Sequence, residues 1–320
     1  MRIEVYSPSR RESWDAFVRR SKNGTFLFFR DYMEYHGDRL VDHSLLLWDD
    51  KAELIALLPA NRRGADLESH AGLTYGGFVT DERMKVPRML EVFRRTLEFL
   101  RAEGFRRLVY KTVPSIYHRV PAEEDRYALF RCGARLYRRD VLTVAVPSRP
   151  VGFQERRRRS LKKAAAAGVT WGPSEDFDRF WAVLEDNLWT AHRVRPVHTA
   201  EEMRRLRAAF PDNIKLFCAF VGGEVVAGTV IYETETVAHV QYMASSERGR
   251  ACGALDLIFA GLLTGKYRAK PYFDFGISTE DEGRRLNEGL IAFKEGFGGR
   301  AVVHDFYEID LTRWASPSEG

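Results

Sequence analysis

The sequence predicts a mixed α/β chain made of two consecutive copies of one strand-helix order, and three observations carry this. The second half reads strand-strand-strand-helix-strand-helix-strand, the first half reads the same way, and Pro147-Ser148-Arg149-Pro150 interrupts the chain between them. The repeat is one of topology; no residue-level self-similarity accompanies it. The expected domains are 1–148 and 149–320.

The second half has the clearer signals. Residues 214–220 and 224–232 are apolar, partly β-branched runs separated by Val221-Gly222-Gly223, a hairpin signal. A third strand is expected over 236–244, after the polar break Glu233-Thr234-Glu235. Residues 253–267 are apolar almost all round, as in a helix buried on most faces. A short strand over 271–277 follows, then a helix over 287–297 stopped by Gly298-Gly299, then a last strand over 301–309.

The first half runs in parallel. Helices are expected over 11–20 and 29–37, and strands over 42–48, 52–60 and 72–79. Val86, Met89, Leu90, Phe93, Leu97 and Leu100 keep helical spacing. A strand over 107–112, a short helix over 125–131 and a strand over 136–146 complete the copy. After the proline break comes a basic helix over 155–167, ended by Gly168, and an amphipathic helix marked by Phe177, Phe180, Trp181, Leu184 and Leu188.

Composition bounds the function. The chain has 320 residues, 45% hydrophobic and 12% aromatic, which is enough for two packed cores and is not the profile of a disordered segment. A net charge of +5 suits contact with an anionic ligand and is too small to argue nucleic-acid binding alone. No apolar run reaches the roughly 18 residues of a membrane span, and residues 1–10 lack a signal-peptide core. Three isolated cysteines, Cys132, Cys218 and Cys252, argue against a disulfide framework. The expectation is a soluble, cytoplasmic protein, with peripheral membrane contact left open.

The order β-β-β-α-β-α-β is that of the GNAT acyltransferase fold, and two such units in one chain resemble the FemAB-like branch of that superfamily. Local phrases strengthen this. Tyr75-Gly76-Gly77 is similar to the YGG segment of these proteins, and residues 156–168 resemble their basic R-x-x-x-K-A-x-x-x-G-V helix. Asp274-Phe275-Gly276 and Phe293-Lys294-Glu295-Gly296-Phe297-Gly298 resemble their DFG and FKxxFG phrases. The resemblance spans nearly the whole chain. It implies N-acyl or aminoacyl transfer, with an acyl-CoA or aminoacyl-tRNA as co-substrate and an amine of a cell-envelope, amino-sugar or polysaccharide precursor as acceptor. A catalytically silent binding module of the same fold is a further alternative.

The acetyl-CoA enzymes of the superfamily carry a Q/R-x-x-G-x-G/A loop whose backbone N–H groups and helix dipole hold a pyrophosphate. The matching stretch here supplies Arg248, Gly249, Arg250, Gly253 and Ala254 as cofactor-binding candidates. Arg250-x-x-Gly253 fits the first part and Leu255 breaks the last, so an ordinary strand-to-helix turn is an equal reading. Arg156, Arg157, Arg158, Arg159, Lys162 and Lys163 place six cations within about two turns. They suit a tRNA backbone, a pyrophosphate or lipid headgroups, or simply form a solvated face.

Residues 189–199 gather His192, Arg193, Arg195 and His198 in a loop with Pro196. His192 or His198 could take the proton of an attacking ammonium, and Arg195 could hold a phosphate. Tyr242, near the end of the third strand, could protonate the leaving group. Asp274 and Glu282 could serve as base or amine anchor, in a strand and loop on the side where open α/β sheets bind ligands. Tyr75, His118 and Lys294 complete the substrate-binding candidates. No Cys-x-x-Cys, His-Glu-x-x-His, Gly-x-Ser-x-Gly or Walker pattern occurs, so neither a metal nor a permanently bound cofactor is expected.

Overall fold

The computed structural model describes residues 1–37 and 39–315, apart from the side chains of His36, Ala191 and His192. The chain forms two compact units of mixed α/β structure. The first contains residues 1–140, 282–284 and 303–320, and the second residues 141–281 and 285–302.

The first unit opens with β1 (Arg2–Val5), α1 (Arg11–Arg20) and α2 (Arg30–Met33). Then come β2 (Val41–Asp42), β3 (Leu45–Trp48), β4 (Leu54–Leu58), β5 (Asn61–Arg63), β6 (Asp66–Glu68) and β7 (Val79–Thr80). It continues with α3 (Val86–Ala102), β8 (Arg107–Lys111), α4 (Glu124–Arg131) and the start of β9 (Arg135–Ala145). Strands β1-β3-β4-β7 form one sheet. Its all-buried rows Leu45, Leu47, Ala56 and Leu58 pack with Phe93, Leu97 and Leu100 of α3, whose helical spacing was legible in the sequence. Pro87 in the first turn of α3 suits that start, where its missing N–H costs nothing.

The stretch 72–79, expected as a strand, is not one; only Val79 and Thr80 pair, with β4. Glycine geometry is the reason. A Cβ on Gly76 would sit 2.1 Å from the Ser69 carbonyl oxygen, and Gly77 has φ +84 with a Cβ position 2.8 Å from Tyr110 Oη. Tyr75-Gly76-Gly77 therefore packs backbone against backbone. Hairpin β5–β6, short and polar, had no signal above that of a loop.

The second unit follows with α5 (Glu155–Ala166), β10 (Thr170–Ser174), α6 (Phe177–His192), α7 (Ala200–Ala209), β11 (Ile214–Val221), β12 (Glu224–Glu233) and β13 (Val237–Ser245). Next are α8 (Glu247–Cys252), α9 (Ala254–Gly261), β14 (Tyr272–Ile277), β15 (Thr279–Glu280), β16 (Arg285–Leu286) and α10 (Glu288–Glu295). The last strand, β17 (Arg300–Asp310), starts in this unit and ends in the first, where Phe306–Asp310 pair with β8. Strands β10 to β13 form an antiparallel meander, β14 joins β13 in parallel, and the end of β9 pairs with β14.

The helix expected over 253–267 is present as α9 continued by a π-type segment at Leu262–Lys266, and Gly253, at φ +75, separates it from α8. Gly253 is needed there: a Cβ would lie 2.6 Å from the Ser160 carbonyl of α5. The buried Phe259, Phe273, Phe275 and Phe297 form the aromatic centre of this core.

Candidate functional site

The site is built where β13 and β14 stop pairing. Parallel pairing joins Val237, Ala238 and His239 to Tyr272, Phe273 and Asp274 and extends no further. Two residues later β13 carries a bulge: Val230 faces Tyr242 and Ile231 faces Val240, so Gln241 is the extra residue. A bulge re-aims the side chains that follow it and increases local twist. Beyond His239, the edge of β13 that faced β14 has no strand partner among the described residues. Such an edge offers N–H groups to a ligand carbonyl.

Tyr242 follows the bulge. Its Oη lies 2.5 Å from His198 Nδ1, and its ring meets Trp181 edge-on at 5.3 Å. Burial pushes the phenol up to about 12, against hydrogen bonds from the His198 backbone and the Gln241 side chain, so it keeps its proton at neutral pH. Trp181 of α6 holds the His198 loop by donating its indole N–H to the His198 carbonyl at 2.9 Å. Thr199 then starts α7 with a full capping box to Glu202. Local sequence thus clamps the buried His198 from both sides.

Asp274, fully buried, uses both oxygens. Oδ1 accepts the Gly276 N–H at 2.7 Å, and Oδ2 lies 2.9 Å from His239 Nδ1, its register partner. Lys294 of α10 is also buried and donates to the carbonyls of Gly276 and Ile277. Burial pushes its ammonium down to about 8, while the Asp274 charge pulls it back up. Asp274, Gly276 and Lys294 therefore form one polar knot at the end of β14. His239 belongs to this knot, although a histidine inside an apolar strand reads as core. No sequence signal announces a register partner.

At the strand-to-helix turn, Ser246 caps α8 by accepting the Gly249 N–H at 3.1 Å. Gly249 is pressed on Val226, where a Cβ would stand 2.2 Å from the carbonyl oxygen. Arg250 donates to the Ser245 carbonyl, and Arg248 pairs with Glu224 at 2.8 Å. Ala254 is buried, and no side chain caps α9, which begins there after the left-handed Gly253. Counted back from that break, the Q/R-x-x-G-x-G/A spacing falls on Arg248, Ala251 and Gly253, two residues earlier than Arg250-x-x-Gly253-x-Leu255. Only alanine for the middle glycine departs from it.

Helix α5 packs beside this turn through Ser160. Of its six cations, Arg157 is buried, paired with Asp256 of α9 at 2.7 Å and lying 4.8 Å over the Phe293 ring. Arg158 pairs with Glu155. Arg156, Arg159, Lys162 and Lys163 are exposed.

The remaining candidates are dispersed. Arg195 is exposed in the loop after α6. His192 ends α6 and its side chain lies outside the described residues. Glu282 is exposed, with φ +54, in a turn that groups with the first unit. Tyr75 is buried in the first unit, its hydroxyl 2.9 Å from Thr25 Oγ1 and its ring tilted against that of Tyr117 at 4.4 Å. His118 pairs through Nε2 with the Val113 carbonyl at 3.2 Å, and burial pushes it down to about 4. The structure thus brings together Tyr242 with His198, and Asp274 with Lys294.

Residues 153–284 match the family model of the acetyltransferase (GNAT) domain. The fold is GNAT-type, and it is shared with the structures that follow. FemX aligns over 95% of this chain and 97% of its own, with TM-score 0.65 and 12% identity. The C-terminal domain of a putative lysylphosphatidylglycerol synthetase from Agrobacterium fabrum aligns over 94% and 91%, with TM-score 0.61 and 15% identity. A tandem GNAT protein from the clavulanic acid biosynthesis pathway aligns over 97% and 98%, with TM-score 0.52 and 12% identity. At these identities the likeness is one of fold. No curated protein sequence matches this chain.

Proposed function

We propose that this chain is a cytoplasmic N-acyltransferase that moves an acyl group from an acyl-CoA-type thioester to an amine of a cell-envelope, amino-sugar or polysaccharide precursor. The Tyr242–His198 contact, on the strand whose partner edge is open, carries the reading. The amine attacks the thioester carbonyl, a C–N bond forms, and the C–S bond breaks. Backbone N–H groups of β13 near Tyr242 and Met243, on the edge that β14 leaves, stabilise the oxyanion. His198 takes the proton released by the amine, and Tyr242 gives its own to the departing thiolate. The 2.5 Å contact returns the proton from His198 to Tyr242 and closes the cycle. The uncapped start of α9, with Arg248 in the preceding turn, suits the donor's pyrophosphate. The Asp274–Lys294 knot holds the end of β14 in place beside the donor and acceptor.

A second reading, transfer from aminoacyl-tRNA, is favoured by the exposed cations of α5 and by the names of two structural neighbours, FemX and the putative lysylphosphatidylglycerol synthetase. Thermal shift with acetyl-CoA, longer acyl-CoAs and charged tRNA separates the two, because a donor that binds the folded state raises its melting temperature. Turnover with a panel of amines then tests catalysis. Stabilisation by acyl-CoA with release of free thiol is expected. Stabilisation by charged tRNA alone selects the second reading, and no turnover with any donor overturns both.

A further inference from the structure

The first unit has a polar pocket of its own, about 170 Å³ in volume, beside the end of β8. Its wall includes Arg63, Lys111 and Arg138 against one carboxylate, Glu68, together with the rings of Tyr137 and Phe306. Lys111 Nζ donates to the His70 and Leu73 carbonyls at 3.3 and 2.5 Å, which uses two of its three N–H groups. Arg138 bonds Asp140 through Nε and Nη2 at 2.9 and 2.7 Å, and its Nη1 makes no bond to that carboxylate. Both cations lie against one aromatic ring: Arg138 Cζ is 4.4 Å and Lys111 Nζ 5.8 Å from the Phe306 centroid.

Two cations that line one recess repel each other, and burial adds to the cost. Lys111 is pushed down to about 8, first by burial and then by the Arg138 charge, with Glu68 and Asp140 opposing. The nearby His304, bonded to the Thr112 carbonyl, is pushed down to about 4 and stays neutral, so it adds no charge. An anion with several acceptor oxygens would relieve this repulsion and take the remaining donors. Arg63, exposed at the rim and paired with Glu68 at 3.4 Å, is placed to fold over it.

We propose that this pocket binds the phosphate group of a small phosphorylated molecule, with Lys111 Nζ and Arg138 Nη1 on the phosphate oxygens and Phe306 and Tyr137 against the group it carries. The site belongs wholly to the first unit and does not depend on the transfer chemistry of the second.

Calorimetric titration of the full chain with inorganic phosphate, pyrophosphate and citrate at constant ionic strength tests it. Saturable binding of phosphate or pyrophosphate is expected, weakened at least tenfold in Lys111→Met and severalfold in Arg63→Ala, while Arg159→Ala/Lys162→Ala on α5 binds as the wild type does. Melting temperatures identify the folded variants, and Arg63→Ala, a change at an exposed rim, keeps the test decisive if Lys111→Met does not fold. Phosphate binding that ignores Lys111 and Arg63, binding lost only with the α5 charges, binding of citrate alone, or no saturable binding would each overturn the proposal.

Discussion

The two units begin the same parallel pairing and end it differently. In the second, β13 and β14 pair over three residues and then part, with a bulge at Gln241 and, among the described residues, no strand pairing between them beyond His239 and Asp274. In the first, β6 and β8 also pair over three residues, Asp66 to Glu68 against Arg107 to Val109. There the gap is stitched: Ser69 Oγ accepts the Lys111 N–H at 2.6 Å, and Tyr75-Gly76-Gly77 fills the space beside it. One pairing scheme thus gives an open edge in one unit and a plugged one in the other. The residues that plug it are a serine and two glycines, small enough for backbone to approach backbone.

The strongest test of this contrast is the plug. Gly76→Ala puts a Cβ 2.1 Å from a backbone oxygen that cannot move aside, so the first unit should lose about 3 kcal/mol. Gly276→Ala at the open end meets nothing closer than 3.6 Å and should cost only the left-handed strain of φ +76, about 1–2 kcal/mol. Denaturant unfolding of both variants measures the difference, and equal losses would remove the distinction.

Next come the two tyrosines. Tyr242→Phe removes the hydroxyl beside His198 and should lower kcat about 100-fold while costing about 1 kcal/mol of stability. Tyr75→Phe removes a hydrogen bond to Thr25, should cost about as much stability, and should leave kcat unchanged. A matching loss of kcat in both would mean that the first unit's tyrosine also touches substrate.

Acid should act on the first unit through His118 and His304. Both are pushed from 6.5 down to about 4 by burial, so the unfolded chain binds more protons between those values and stability falls as pH falls through that window. Asp125 opposes them: burial raises it to about 6, so the folded state takes up its proton first and regains stability between about 6 and 3.8. Full protonation of one such histidine costs about 3 kcal/mol. In His304→Gln, the slope of unfolding free energy against pH between 6.5 and 4 should be visibly shallower, and an unchanged slope would refute this assignment.

The smallest effect is expected on α5. Arg159→Ala/Lys162→Ala removes exposed charges without ion-pair partners among the described residues, and should change stability by less than about 0.5 kcal/mol. If tRNA is the donor, the same change should lower the salt dependence of its binding by nearly two contacts, measured as the slope of log affinity against log salt.

Much of this was legible in the residues. The helical stripe of α3, the hairpin glycines at 222 and 223, and the apolar runs of β11 and β12 fixed their elements because their periodicity is local. Tyr242, His198, Asp274 and Lys294 could be picked out one by one from residue type and position. Their partners could not. That His239 meets Asp274 depends on strand register, and that Tyr242 meets His198 depends on where Trp181 pins a loop. The strand expected over 72–79 failed because apolar pattern says nothing about two glycines needed for close backbone approach.

By itself, the sequence determined the two-fold order of strands and helices, since hydrophobic period, capping residues and glycine breaks act within a few residues of one another. The resemblance carried by its local phrases pointed to the GNAT-type fold. Tertiary structure alone decided which end of a shared pairing scheme stays open, where the α9 start falls, and which buried charges stand together. Those outcomes rest on contacts between residues far apart in the chain, where a single carbonyl, bulge or missing Cβ determines whether two strands close or part.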